Sequence, residues 1–138
     1  MRQLDIALAL LKQNDEYLFQ KRGDIPEIGA AGLIGLFGGQ IEGETPVQAI
    51  CRELDEETNF TPNEQEATFV GEVRVVADHK LEDVNIKAQI FSFMVGKDYV
   101  LQAKEGTLVR FTKEKAAENL DLMTPATRAY FENLIGEE

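Results

Sequence analysis

One cysteine and one histidine in 138 residues leave little room for two common kinds of chemistry. Cys51 has no second cysteine to join, so neither an internal disulfide nor a cysteine-rich zinc site can form. His79 alone cannot build a histidine metal centre. Any metal chemistry must use oxygen ligands, which suit magnesium, calcium or manganese. Basic residues are scarce too: 14 Lys and Arg against 25 Asp and Glu leave a formal net charge of −11. That balance argues against a nucleic-acid polymer as partner, because such partners reward basic surfaces. A small phosphate substrate stays open, since bound divalent ions reverse the local field. No run approaches the roughly 20 apolar residues of a membrane span. The opening Met1-Arg2-Gln3-Leu4-Asp5 carries an acid too early for a secretory signal. A cytoplasmic protein without membrane contact is expected.

What is present suits a single domain over residues 1–138, with 43% hydrophobic residues to supply a core. Residues 6–11 are a nearly continuous apolar run, followed by a polar turn at 12–16 and a second strand at 17–19. Residues 21–31, with Gly23, Pro26 and Gly29, read as a loop. A short apolar strand at 33–37 is interrupted by Gly38 and Gly39, and a helix follows over 45–58. Next come an extended segment at 67–76, a charged turn at 79–83 and a strand at 86–95. Both faces of that strand become apolar towards its end, as in a sheet covered on two sides. A last strand at 107–111 precedes helices at 113–119 and 125–135, the second with Ala126, Tyr130, Phe131 and Leu134 on one stripe. Strands flanked by helices imply a layered α/β fold with a mixed sheet.

The segment from Gly38 to Phe60 carries the chemistry. Thr45 is a good N-cap, Pro46 fits the first helical position, and Gln48 completes a capping box. Asn59 falls past the end, where a left-handed residue is expected. Val47, Ile50 and Leu54 form the buried stripe. Glu53, Glu56 and Glu57 stand at i, i+3 and i+4, so their carboxylates share the adjacent face. An acidic solvent-facing side is the commonest meaning of such a run. Three carboxylates on one patch would equally suit magnesium, which keeps some waters and takes phosphate oxygens as further ligands. The preceding glycines, which let backbone approach a ligand closely, favour the second meaning.

This stretch resembles the Nudix box: Gly38, Glu44, Arg52, Glu53, Leu54, Glu56 and Glu57 match in register, with Phe60 an apolar stand-in at the last position. The resemblance extends to the Lys21-Arg22 strand end, the Leu36-Phe37-Gly38-Gly39 entry and the Arg110-Phe111 strand. It implies an α/β/α sandwich with a mixed, curved central sheet, and an enzyme that cleaves a pyrophosphate bond in a nucleoside diphosphate-linked small molecule. Mg2+ is the implied cofactor, with Mn2+ possible. Glu53, Glu56 and Glu57 are the implied metal ligands, and Arg52 would orient them. Gly38 is favoured for a carbonyl ligand over Gly39, because the loop before Glu44 is one residue shorter than the common form. Asn59 replaces the closing glycine of the box. Glu105, in Lys104-Glu105-Gly106, is the candidate general base, with Glu72, Glu82 and Asp83 as rivals. Arg22, Gly39 and Glu44 are expected beside the substrate; Glu44 also suits the helix dipole. Cys51 reads as packing, His79 as a solvated loop residue, and Phe91, Phe93 and Phe131 as core. Nucleoside triphosphates, damaged nucleotides or dinucleoside polyphosphates are the favoured substrates. ADP-ribose or another nucleotide sugar, and an inactive nucleotide-binding regulator, are the alternatives. The protein is expected as a monomer or homodimer.

Overall fold

In the computed structural model, residues 2–23, 32–79 and 82–136 are described. The long strand β1 (Arg2–Gln13) is the spine of a seven-stranded mixed sheet. Its continuous apolar run is explained by burial on both faces. Ala7, Ala9 and Leu11 point into one core cluster, while Leu8 and Leu10 point into a second. On one side β1 pairs in parallel with β6 (Glu82–Met94), and β6 pairs with β5 (Thr68–His79), which ends the sheet. On its other side β1 pairs antiparallel with β4 (Phe37–Gln40) and then with β2 (Glu16–Lys21). β2 also pairs with β3 (Ile34–Gly35) and β7 (Thr107–Thr112). The turn between β1 and β2 uses Asn14 at φ 58, a left-handed conformation that asparagine tolerates.

Helix α1 (Pro46–Glu57) covers one face, closing over Ile50, Leu54, Phe60, Phe91 and Phe93. Helices α2 (Lys113–Glu118) and α3 (Pro125–Gly136) cover the other, closing over Phe19, Ile90, Ala126 and Phe131. The arrangement is the expected α/β/α sandwich. Phe91, Phe93 and Phe131 are core, and Cys51 packs half-buried at the flank of the α1 cluster.

Three local expectations need correction or fall outside what is described. Gly38 and Gly39 do not interrupt a strand; they lie within β4, opposite Leu8 and Ala7, and the break falls at Leu36 instead. Asn59 is not left-handed. The chain leaves α1 through Thr58 in an extended conformation, and the Thr58 hydroxyl donates to Leu54 O at 2.7 Å. Asn59 then brackets the segment ahead of β7, donating to Val100 O and accepting from the Gln102 amide. Most of the 21–31 loop, and the side chains of His79 and Glu82, lie outside the described residues.

Candidate active site

The site begins with the way α1 is fastened. The expected capping box is present: Gln48 N–H donates to Thr45 Oγ1 at 3.2 Å, and Thr45 N–H donates to Gln48 Oε1 at 3.0 Å. With Ile50 and Leu54 fully buried, the helix rotation is fixed and Glu53 and Glu57 are turned towards β4. There the two glycines receive them. Ile41 N–H donates to Asp5 O, and counting back along the alternating ladder makes Ala7 and Gly39 a hydrogen-bonded pair. The Gly38 amide is thereby left facing away from β1, and it donates to Glu57 Oε1 at 2.8 Å. Gly38 holds φ at +146, where a Cβ would sit 2.1 Å from Ala7 O. At Gly39 a Cβ would sit 2.6 Å from Glu53 Oε1. Gly38 thus demands glycine for the backbone, while at Gly39 a side chain would have to displace the Glu53 carboxylate.

Arg52 ties the outer side together. Its Nε donates to both oxygens of Glu44 at 3.1 Å, and Nη2 reaches Glu44 Oε1 at 2.6 Å and Gln40 O at 3.0 Å. Nη1 donates to Glu53 Oε1 at 3.0 Å and, more loosely, to Glu56 at 3.4 Å. This fork holds Glu44 below the usual carboxylate range, and the acids around Arg52 hold its own proton more firmly. Glu53 goes the other way. Burial pushes its carboxyl up, Arg52 pulls it back, and the nearby charges of Glu56 and Glu42 raise it again.

Glu57 is the extreme case. Burial, then the charge of Glu53, pushes its carboxyl up to about 8, against the opposing Gly38 amide. The same carboxyl feels Glu105, which raises it, and Arg22, which lowers it. The charges of two residues distant in sequence therefore act on this acid. The Glu105 loop is well anchored: Lys104 N–H donates to Glu57 O at 2.6 Å and Gln20 Nε2 donates to Glu105 O at 3.1 Å. Gly106, at φ +68, lies so close to β2 that a Cβ would be 2.5 Å from Lys21 O. Gln20 was not singled out from sequence; an amide buried in the apolar run of β2 was the available signal. Arg22 follows β2, and its Nε is the buried side-chain polar atom without a hydrogen-bond partner among the described residues.

Not every expected residue joins this centre. Glu56 is turned outward, with its side chain 54% exposed, and among the described residues it reaches Arg52. Among the described residues no three His, Cys, Asp or Glu side chains are gathered as a metal cage. The reason is visible in the donors: Glu53 and Glu56 lean on Arg52, and Glu57 on the Gly38 amide. Glu72 sits on β5, paired with Arg74 and Lys87. Its row runs through Gln89 and Ala7 to Gly39, three strand spacings or about 14 Å away. Asp83 stands at the far end of β6, exposed. Neither of these two rivals, the ones whose side chains are described, lies near Glu57. The donors that do converge are all oxygens, and two of them, half-buried Glu53 and buried Glu57, are acids pushed towards protonation beside a single arginine fork. That excess of buried negative charge fits a hard divalent cation.

Comparison with known proteins bears on the fold and the family. The chain is 39% identical over 64 residues to the 8-oxo-dGTP diphosphatase of Escherichia coli (strain K12), a match covering 45% of this chain and 48% of that protein. The aligned region thus spans about half the length of that relative. Over nearly the full length the fold is that of the MutT protein from Methanosarcina mazei Go1, with TM-score 0.75 and 19% identity, covering 99% of this chain and 95% of that one. A bifunctional NMN adenylyltransferase/ADP ribose pyrophosphatase from Francisella tularensis, solved with AMP and Mn ion, gives TM-score 0.66 at 22% identity, covering 98% of this chain and 42% of that one. The NUDIX domain itself is matched over residues 1–132, so the chain belongs to the NUDIX family.

Proposed function

We propose that this chain is a divalent-metal-dependent pyrophosphohydrolase that cleaves a phosphoric anhydride in a nucleoside diphosphate-linked small molecule. The observation that carries this reading is the pairing of half-buried Glu53 and buried Glu57, both with raised carboxyls, against Gly39 and Gly38 of β4. Glu53, Glu57 and, after a side-chain rotation, Glu56 would hold Mg2+, with Mn2+ as the other candidate; its presence in the Francisella relative supports that choice. The Gly38 carbonyl is the better backbone ligand, because the ladder with Ala7 occupies the carbonyl of Gly39. The ion would polarise phosphoryl oxygens and stabilise the leaving phosphate.

The remaining work falls to side chains. Arg52 fixes Glu53 and Glu44, so the loop ahead of α1 and the helix move as one. The unpartnered Nε–H of Arg22 is a donor suited to a substrate phosphate oxygen. Glu105, anchored through its own carbonyl, would accept a proton from the attacking water on a carboxylate oxygen. The reading takes residues 1–138 as one cytoplasmic domain acting on free nucleotides.

Oxidised or ordinary nucleoside triphosphates and dinucleoside polyphosphates head the substrate list, supported by the partial match to the 8-oxo-dGTP diphosphatase. Nucleotide sugars follow, supported by the likeness to the ADP ribose pyrophosphatase. The test is phosphate and pyrophosphate release over a panel of all these compounds, with and without Mg2+. We expect Mg2+-dependent turnover of at least one member, lowered about 1,000-fold by Glu57→Gln and about 100-fold by Glu105→Gln. No turnover of any member, with tight binding of one, would instead establish a nucleotide-binding regulator.

A further inference from the structure

Strand β5 ends the sheet, and among the described residues no strand pairs its outer side. It is 12 residues long. A long open edge of that kind is a template for another strand unless something blunts it. Its exposed side chains do not blunt it uniformly. Phe69 is 55% exposed, Val70 38% and Val76 57%, with Glu72 and Arg74 between them. Val73 and Val75 face the core under α3, so Glu72, Arg74 and Val76 lie on the opposite face of the strand.

From this pattern we infer that the outer edge of β5 pairs with β5 of a second copy of the chain, antiparallel, about a two-fold axis at Val73. A two-fold axis through a sheet edge sets residues of like parity opposite one another, because opposed residues in an antiparallel pair share a face. Among centres within the segment from Gly71 to Val75, charge then selects one. An axis at Glu72 would oppose glutamate to glutamate, and one at Arg74 would oppose arginine to arginine. An axis at Gly71 would set Glu72 against Val70, and one at Val75 would set Arg74 against Val76. Only the axis at Val73 brings Glu72 against Arg74 of the partner, twice. It also brings exposed Val70 towards exposed Val76 at both ends. The segment it uses, from Gly71 to Val75, pairs with β6 without irregularity; the bulge lies between Phe69 and Gly71. The present contact between Arg74 Nε and Glu72 Oε2, at 2.9 Å, is a surface pair that can be exchanged at little cost.

The inference does not depend on the reaction. It is tested by sedimentation velocity of the full chain across roughly 1–100 μM, a range chosen to bracket ordinary self-association. A concentration-dependent dimer is expected. Arg74→Glu, which sets Glu72 against glutamate twice, should raise the dissociation constant at least about tenfold. The double exchange Glu72→Arg with Arg74→Glu should restore it. Amides of β5 should gain exchange protection as concentration rises. A monomer throughout, a dimer indifferent to Arg74→Glu, or a dimer that leaves β5 amides unprotected would each overturn the proposal.

Discussion

Beneath α3 the sheet is finished with aromatic rings; beneath α1 the same sheet ends in acids. Phe131 meets Phe19 at 5.3 Å, Tyr17 at 5.4 Å and Tyr130 at 5.6 Å between ring centroids. No carboxylate enters that cluster among the described residues. On the α1 face an equally dry cluster of Ile50, Leu54, Phe37 and Phe93 gives way, at the margin with β4, to Glu53 and Glu57. Leu54 and Glu57 are one helical turn apart and both are buried, one in apolar contact and the other beside a second acid. The difference is that one face contributes only stability, while the other keeps a costly charge cluster in place. Packing under α3 and around α1 must offset what the acids take away.

The sharpest way to separate the faces is to remove the ring at the centre of the purely apolar one. Phe131→Ala should destabilise the fold by about 3–5 kcal/mol, the range for deleting a fully buried aromatic side chain. Turnover per folded molecule should stay close to wild type, because nothing at the site touches Phe131. Urea unfolding followed by circular dichroism gives the first quantity, and an assay on the folded fraction gives the second. Equal losses in both would mean that the faces are not separable.

The acid face should instead announce itself through pH. Glu57 has an ordinary value near 4.5 and is raised to about 8 in the fold, so the folded state holds its proton more tightly than the unfolded chain. The stabilisation linked to that proton is complete below about pH 4.5 and is lost as pH rises through about 8. Without added metal, stability should therefore fall by about 4 kcal/mol across that window on account of Glu57. Glu53, raised in the same direction, adds to the slope. Glu57→Gln keeps the acceptor for the Gly38 amide and should flatten the decline while lowering turnover about 1,000-fold. A Glu57→Gln variant whose stability still fell as steeply would remove Glu57 as its source.

How much of this could be read from the chain alone depended on range. The ends of α1 rest on contacts within three or four residues, so Thr45, Pro46 and Gln48 declared the start of the helix. The two-sided burial of β1 was visible as a nearly continuous apolar run, and that of β6 as two alternating faces that both become apolar towards its end. The glycines misled because glycine weakens strands on local grounds, whereas here α1 presses Glu53 and Glu57 onto the strand from 14 or more residues away. Asn59 misled similarly: Thr58 satisfies Leu54 O with its hydroxyl, and the chain turns away in an extended conformation. The shared spacing of Glu53, Glu56 and Glu57 was legible, but the outward turn of Glu56 depends on Arg52. Glu105 came from family likeness and Arg22 from its place at a strand end beside the 21–31 loop; only the fold lets their charges act on Glu57.

The finest test lies at the seam between the two kinds of packing. Gly39 has no left-handed requirement, and the atom nearest an added Cβ is the far end of the Glu53 side chain, at 2.6 Å. Gly39→Ala can therefore be accommodated by moving the carboxylate rather than the backbone. The expected change in stability is less than about 1 kcal/mol, since a flexible side chain absorbs the contact. Turnover should fall about tenfold, because a displacement of roughly 1 Å in a positioning group is enough to lose that much rate. If Glu53 holds the metal, the variant should also need more Mg2+ to reach half-maximal activity. A loss of stability with unchanged Mg2+ dependence would mean that Gly39 serves the sheet and not the carboxylate.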